Sequence, residues 1–313
     1  GNTGRMNELL QGLNQCRLAV GTVAWREECK RAIVSHPVRE LLHLEPLTKR
    51  AFEKPYGLVA DAVMMDMAFS NPLPHSMRAT LAQRLYRWMM EQKLASGLRS
   101  RRSLLAQAID RVAAHAEISA ELAGDLWRDT GTGTPSRPVR VLAVSGGHLR
   151  ELTLSLAVIG DMVEEVVALD NHRPTLNTLE ALYKWQSVSG YNCSIASVID
   201  NSLNIGAFDF IYVPELLHFL PDTTAAKLTR NLFARLRPGG QLMLMNFAPT
   251  LPDIGYMECV MQWYWTYRDA PALRALTTGI AETQIAGYAE SIDATGNLSV
   301  LGVIRSSAAI QIA

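Results

Sequence analysis

The sequence predicts an α/β protein: a doubly wound, mostly parallel sheet closed by an antiparallel hairpin, preceded by a helical domain. Three observations carry this. Residues up to Arg128 show apolar side chains at three-to-four spacing, the period of amphipathic helices. Beyond a Gly/Thr/Ser/Pro-rich stretch, TGTGTPSRP at 130–138, short β-branched runs alternate with helical patterns, as in βαβ units. The chain then ends on two strand-like runs joined by the turn sequence ATGN. These set the expected domains at 1–129 (helical), 130–138 (linker) and 139–313 (sheet).

In the helical part, MNELLQGLNQCRLAV and TVAWREECKRAIVSH each read as a helix, the second ending before Pro37. FEKPYGLVADAVMMDMAFSNPLPH, with prolines at 55, 72 and 74, reads as irregular. SMRATLAQRLYRWMMEQKLASG reads as one long helix stopped by Gly97, followed by RRSLLAQAIDRVAAHA and ISAELAGDLWRD. In the sheet part, VRVLAVS is a continuous apolar run suited to a strand buried on both faces. ELTLSLAVIG is helical, EEVVALD is the second strand, and RPTLNTLEALYKWQSVSG is a helix ending at Gly190. YNCSIAS is the third strand and FDFIYVP the fourth. TTAAKLTRNLFARLR is a helix stopped by Pro238-Gly239-Gly240, and QLMLMNF is the fifth strand. PALRALTTGIAE is helical, and QIAGYAESID and LSVLGVIR complete seven strands in a Rossmann-like arrangement.

Composition narrows the function. Hydrophobic residues make up 48% and charged residues 19%, enough for a sizeable core. Thirty basic and thirty acidic side chains balance, which argues against a dedicated nucleic-acid binder. The four cysteines, Cys16, Cys29, Cys193 and Cys259, show no CxxC pairing and no zinc spacing with histidine, so four reduced thiols and no metal are expected. GNTGRMNELL lacks a basic-then-apolar leader, and no apolar run reaches the ~20 residues that span a bilayer. A soluble cytoplasmic protein without nucleic-acid or membrane partners is expected, acting on a small molecule, with a homodimer as the working oligomeric state.

The chemistry concentrates at the strand ends. Ser145, Gly146 and Gly147 form a small-residue turn between strand and helix, where backbone N–H groups can approach a ligand. Asp170 ends the next strand about 20 residues on, where a carboxylate can accept from both hydroxyls of a ribose. Asn171 follows it. G-x-G-x-x-G and the Walker A pattern are both absent, so the pair fits an adenosine-containing cofactor better than a dinucleotide. Asp200 and Asn201, read as following the third strand, are candidates for the adenine, and Pro214 borders the same crevice from the fourth. Glu215 and His218, just past that strand, are candidate catalytic groups with Tyr264. Tyr56, Asp61, Tyr212, Tyr267 and Arg268 are candidate substrate contacts: Arg268 as a carboxylate clamp, the MQWYWTYRD aromatics as faces for a sulfonium or ammonium. His148 and Glu151 are read as helix-start residues.

The ordered set of cofactor turn, Asp170, FDFIY and LFARLRPGGQLMLMNF, with the terminal hairpin, resembles a class I S-adenosylmethionine-dependent methyltransferase over residues 138–305. The stretches KPYGLVADAVMMD, SGGHLRELTLS, FDFIYVPELLHFLPDTTAAKLTRNLFARLRPGG and MECVMQWYWTYRD are similar to those of the extracellular-factor 3-hydroxypalmitic acid methyl ester biosynthesis family. That resemblance implies S-adenosyl-L-methionine as cofactor, S-adenosyl-L-homocysteine as product, and methyl transfer to a small molecule, in that family a fatty-acid carboxyl group. It also implies a helical region ahead of the methyltransferase domain, which is expected to cover the cofactor cleft and help shape the acceptor pocket. Where the family has Ala-Cys-Gly, this chain has Ser145-Gly146-Gly147; where it has Gly-Leu-Phe-Asp-Tyr-Leu, this chain runs from Glu215 to Leu220. A carboxylate and an imidazole there lean the expected acceptor toward a polar, amino-acid-like molecule methylated on sulfur or nitrogen, such as a thioether. The fatty-acid carboxyl is the alternative, and an NAD(P)-dependent oxidoreductase or a non-catalytic adenosine-binding protein stands further off.

Overall fold

A computed structural model describes residues 2–57, 60–70, 80–127 and 139–307. The expected linker at 130–138 lies outside them, as do the prolines at 72 and 74. The chain divides into two compact units: Gly1–Ser100 with Ala248–Trp265, and Arg101–Phe247 with Thr266–Ala313. The division thus falls within a helix rather than at the glycine-rich stretch, and the first unit takes back a segment that follows the fifth strand.

The first unit is helical: Asn2–Val20, Thr22–Ser35, Val38–Leu42, Pro46–Glu53, Ala62–Ser70, Thr80–Glu91 and Ile254–Cys259. Trp25, Cys29 and Ile33, four residues apart, form the buried face of Thr22–Ser35. Gly255 fits where the helix Ile254–Cys259 crosses Asn2–Val20; a Cβ there would lie 2.5 Å from the Asn14 amide nitrogen. The segment read as irregular contains the helix Ala62–Ser70, whose start Asp61 caps by accepting the Met64 N–H. Gly97 stops nothing: after a break at Gln92, one helix runs Lys93–Trp127. Gly97 is buried there with Leu94, Ala95 and Leu98, and packing of that face outweighs the roughly 1 kcal/mol penalty of an interior glycine.

Two buried carboxyls of this unit act as backbone acceptors. Glu45 caps Pro46–Glu53 by accepting the Leu47 and Thr48 N–H groups at 3.0 and 2.6 Å, and burial pushes it up to about 7. Asp253 accepts the Leu94 N–H, and burial pushes it up to about 6. Both bind protons more tightly folded than unfolded. Their contribution to stability is therefore full below the ordinary carboxylate range and is lost as pH rises through about 7. Thermal unfolding at pH 5 and pH 8 should show the loss, on the order of 2 kcal/mol. Glu45→Gln should flatten the profile; an unchanged slope would remove Glu45 as its source.

The second unit carries the sheet: β1 Val139–Val144, β2 Val163–Asp170, β3 Val188–Asn192, β4 Phe208–Val213, β5 Leu236–Phe247, β6 Ile285–Ile292 and β7 Leu298–Arg305. Their order is β3-β2-β1-β4-β5-β7-β6. The first five are parallel, and β7 runs antiparallel to both β5 and β6, as the terminal hairpin requires. The fully buried runs of β1, β4 and β5 form its core with Leu228, Leu232 and Phe233 of the helix Asp222–Ala234.

Several elements differ from expectation. ELTLSLAVIG is not one helix: a 3₁₀ turn Arg150–Thr153 is followed by a short helix Leu156–Ile159, which restarts because the Ser155 hydroxyl caps the Val158 N–H. β3 begins at Val188, three residues before the expected strand, and Gly190 lies inside it. A Cβ on Gly190 would lie 3.1 Å from Leu176 of the helix Arg173–Leu182, so this glycine admits a close crossing rather than ending a helix. Ser194 caps a helix Ile195–Ile199 where a strand was expected. Pro238-Gly239-Gly240 lies within β5 as an irregularity: Phe208 pairs with Leu236 but Phe210 with Gln241. PALRALTTGIAE shortens to a helix Ala270–Ala275.

Candidate functional site

In an open parallel sheet, ligands bind beyond the carboxyl ends of the strands where the winding reverses, here between β1 and β4. Register assembles that edge. Val144 pairs with Leu169, setting Ser145 beside Asp170; Ala143 pairs with Tyr212, setting Ser145 toward Pro214; Val213 pairs with Leu244, setting Glu215 toward Asn246.

The turn after β1 is built from left-handed residues. Ser145 (φ 54°), Gly147 (φ 64°) and Leu149 (φ 47°) reverse the chain sharply. The Ser145 N–H extends the ladder to the Leu169 carbonyl at 2.9 Å, and the Tyr183 hydroxyl ties down the Leu149 carbonyl at 2.6 Å. A Cβ on Gly146 would lie 2.4 Å from Leu149 Cδ2, so any larger residue there would have to displace the Leu149 side chain. No hydrogen bond among the described residues takes the Gly146 and Gly147 N–H groups, which leaves two donors at the edge. Asp170 is half-buried, and burial raises its carboxyl; Oδ1 accepts the His172 N–H at 2.8 Å. Its side-chain partners among the described residues are backbone amides, so lone pairs remain for hydroxyl groups. Asn171, next to it, is exposed.

Past β4, the Pro214 carbonyl accepts from Arg101 Nη1 at 3.0 Å, and Arg101 Nη2 donates to Glu215 Oε1. Both side chains of this ion pair are buried. Burial raises the Glu215 carboxyl, opposed by the Arg101 charge, and Glu215 Oε2 is buried without a partner among the described residues. Beside it, the Tyr212 hydroxyl donates to Glu151 Oε1 at 2.5 Å, both groups fully inside. Burial raises both, the carboxyl of Glu151 and, well above its usual value, the phenol of Tyr212.

Other candidates are committed elsewhere. His218 is held at both ring nitrogens: Nε2 accepts the Phe247 N–H at 3.1 Å, which fixes the proton on Nδ1, donated to the Glu215 carbonyl at 3.0 Å. Burial pushes its pKa down to about 3, so it is a neutral strut with no lone pair for a base. Arg268 is no clamp. Its guanidinium donates to the Leu217 carbonyl at 2.6 Å, the Leu220 carbonyl at 2.7 Å and Asp222 Oδ1 at 2.7 and 2.9 Å. Asp200 and Asn201 do not stand at a strand end: β3 stops at Asn192, and Asp200 closes the helix Ile195–Ile199 on the surface, paired with Lys227 at 2.5 Å. Asn201 takes a left-handed turn there (φ 57°), its carbonyl accepting from Arg235.

Tyr56, Asp61 and Tyr264 belong to the helical unit. The Asp61 carboxylate is bonded at both oxygens to Arg50 Nε at 2.9 Å, and the Arg50 guanidinium lies 5.2 Å from the Tyr56 ring. The Tyr264 hydroxyl donates to Gln262 Oε1 at 3.0 Å, and burial raises it to about 12. The aromatic run is extended, not helical: Met261, Trp263 and Trp265 point inward while Gln262 and Tyr264 are half-buried, a period of two. Tyr267, half-buried, falls in the sheet unit with Arg268.

The structure thus gathers Ser145, Gly146, Gly147, Asp170, Pro214 and Glu215 at one edge, and adds Arg101 and Glu151. Asn246, buried with Oδ1 unpartnered among the described residues, joins them by register. Arg101 left a trace in the sequence: it occupies an inward position of the stripe Leu94, Leu98, Arg101, Leu105, where an apolar residue is the norm. Among the described residues no group of three or more His, Cys, Asp or Glu is placed to hold a metal ion, and no helix is long and apolar enough to cross a membrane.

No family model and no curated protein matches the sequence. Among solved structures, the chain is similar to a possible exported protein from Bordetella parapertussis at 16% identity and TM-score 0.58, over 98% of this chain and 97% of that one. It also matches the N-methyltransferase NodS from Bradyrhizobium japonicum WM9 in complex with S-adenosyl-L-homocysteine, at 14% identity and TM-score 0.40, over 54% of this chain and 80% of that one. Magnesium protoporphyrin IX methyltransferase from Synechocystis PCC 6803 matches at 15% identity and TM-score 0.38, over 63% and 85%. The first match, spanning nearly all of both chains, shows a shared fold.

Proposed function

We propose that the chain is an S-adenosylmethionine-dependent methyltransferase acting on a small molecule. The observation that carries this is the glycine turn lying beside Asp170 at the switch point of a sheet that ends in an antiparallel hairpin. The residues fit the cofactor. The free N–H groups of Gly146 and Gly147 suit its amino-acid end, and the carboxylate of Asp170, with only backbone partners, suits a ribose diol. Bound there, S-adenosylmethionine supplies an electrophilic methyl group on a sulfonium and leaves as S-adenosylhomocysteine.

The groups around the edge limit the acceptor. His218 has no free nitrogen with which to take a proton from an amine or hydroxyl, and Glu215 is ion-paired to Arg101 through Oε1, leaving Oε2 to meet the acceptor. With no imidazole nitrogen available as a base, an acceptor atom that needs none is favoured. Alignment opposite the leaving sulfur supplies the catalysis, on the order of 7–11 kcal/mol. The reading favoured is a polar, amino-acid-like thioether, whose ammonium group would satisfy Glu215 Oε2. The second reading, a 3-hydroxy fatty-acid carboxyl, follows the likeness to the methyl ester biosynthesis family and is favoured by the buried guanidinium of Arg101.

Calorimetry with S-adenosylhomocysteine and NAD tests the cofactor. S-adenosylhomocysteine should bind, and Asp170→Ala should weaken it by about 1–3 kcal/mol, or roughly 5- to 150-fold. Binding of NAD alone would overturn the reading. Labelled-methyl transfer to L-methionine, N-acetylmethionine and 3-hydroxypalmitate then separates the acceptors.

A further inference from the structure

The sheet unit holds a cavity of about 610 Å³ that no step of the proposed methyl transfer uses. Its floor is one face of β5, β7 and β6. Gln241 pairs with Ile304, Met243 with Gly302, Gly302 with Ala289 and Val300 with Ser291, so these alternate residues share a side of the sheet. The floor is apolar: Met243 and Val300 are buried and Ile304 is half-buried. It is also low at its centre, because Gly302 carries no side chain; a Cβ there would lie 2.5 Å from Gln241 Nε2 and 3.4 Å from Ala289 Cβ. The opposite wall is the helix Lys93–Trp127, through Arg111, Val112 and His115. That helix is fastened next to the cavity, where Asp110 Oδ1 accepts from the Ser155 hydroxyl at 2.6 Å and the Ala157 N–H at 2.9 Å. Met243 comes four residues before the end of β5, about 13 Å along the strand, which sets the cavity apart from the cofactor edge.

The charges around it do not cancel. Asp209 Oδ2 already accepts the Arg140 N–H at 2.8 Å and Arg237 Nη1 at 2.7 Å, and Glu290 Oε1 accepts from Arg274 Nη1 at 2.9 Å. Arg111 and His115, one helical turn apart, are exposed and make no hydrogen bond or ion pair among the described residues. The unanswered charge at the mouth is therefore positive, above an apolar floor. We propose that this cavity is a binding site for an amphipathic carboxylate. The aliphatic chain lies on Met243, Val300 and Ile304, and the carboxylate takes the planar fork of Arg111, with a ring N–H of His115 beside it. The volume falls within the roughly 300–1,000 Å³ of small-molecule sites.

Calorimetry of the full chain with sodium decanoate and with decyltrimethylammonium, a cation of the same chain length, tests the site. One decanoate should bind per chain, and the cation at least about 10-fold more weakly. Arg111→Gln, on an exposed position, should weaken decanoate by about 10-fold or more. Ala289→Trp, also at an exposed position, places a ring in the cavity and should abolish binding. Melting temperature shows whether each variant is folded; if Ala289→Trp is not, Arg111→Gln decides alone. Absence of decanoate binding, equal binding of the cation, or unchanged decanoate affinity in either folded variant would each overturn the proposal. The last result would place the carboxylate elsewhere, the methyl-acceptor site included. The readout involves neither S-adenosylmethionine nor methyl transfer, so it stands apart from the proposed activity.

Discussion

Arg268→Ala should destabilise the protein by about 3–5 kcal/mol, seen as a lower urea midpoint at unchanged slope. The side chain is buried, and its donors satisfy the carbonyls of Leu217 and Leu220 and one oxygen of Asp222. Its backbone N–H reaches the Phe247 carbonyl at 3.0 Å, so one residue fastens the loop after β4 to the end of β5. Truncation takes the guanidinium from the Leu220 carbonyl, leaves the Leu217 carbonyl only the Leu220 N–H at 3.3 Å, and opens a void the size of the side chain. Arg268→Lys should recover only part of the loss, because one ammonium cannot reproduce the planar fork. Asp222 is largely exposed, so Asp222→Asn should cost little, and the carbonyls rather than the ion pair carry the effect. A loss under 1 kcal/mol in Arg268→Ala would return this residue to the list of substrate contacts.

The contrast between Arg268 and Asp170 shows what was legible in the sequence. β1, β2, β4 and β5 announce themselves as apolar runs, β-branched in all but β5, and the residues at their carboxyl ends follow from the winding rule alone. Ser145 to Gly147, Asp170, Pro214 and Glu215 were therefore readable as an edge. β3 was misplaced because Ser189-Gly190-Tyr191-Asn192 carries no apolar signal; its place is set by pairing with β2 and by the close passage of Leu176. The aromatic run is extended, and the alternation of Met261, Trp263 and Trp265 between Gln262 and Tyr264 carries that period of two in the sequence itself. Commitments of side chains were not legible. Nothing in the spacing of His218 announces that the Phe247 amide occupies its second nitrogen, because those partners meet only through the β4–β5 ladder. Arg101 is the same problem reversed: it lies over a hundred positions from Glu215, yet the sheet's edge brings them together.

That pairing leads to the sharpest expectation for function. Arg101→Ala leaves Glu215 buried without a counter-charge and the Pro214 carbonyl without its donor, and should cost about 3–5 kcal/mol of stability. Arg101→Met with Glu215→Gln removes both charges at similar volume and should fold nearly as well as the parent, so the double-mutant cycle should show strong coupling. Glu215→Gln alone separates support from chemistry. Gln keeps an oxygen to accept from Arg101 but loses the negative charge that a cationic acceptor would meet at Oε2. If the acceptor's ammonium docks there, kcat/KM falls by 10²-fold or more, the equivalent of about 2.7 kcal/mol, while S-adenosylhomocysteine binds as before. If the pair serves only to brace the loop after β4, turnover and cofactor affinity both survive the change. A fatty-acid carboxylate as acceptor gives a third pattern: removing a negative charge beside it raises kcat/KM. One substitution, read against one cofactor titration, therefore distinguishes the polar acceptor from the carboxylate and both from a structural role.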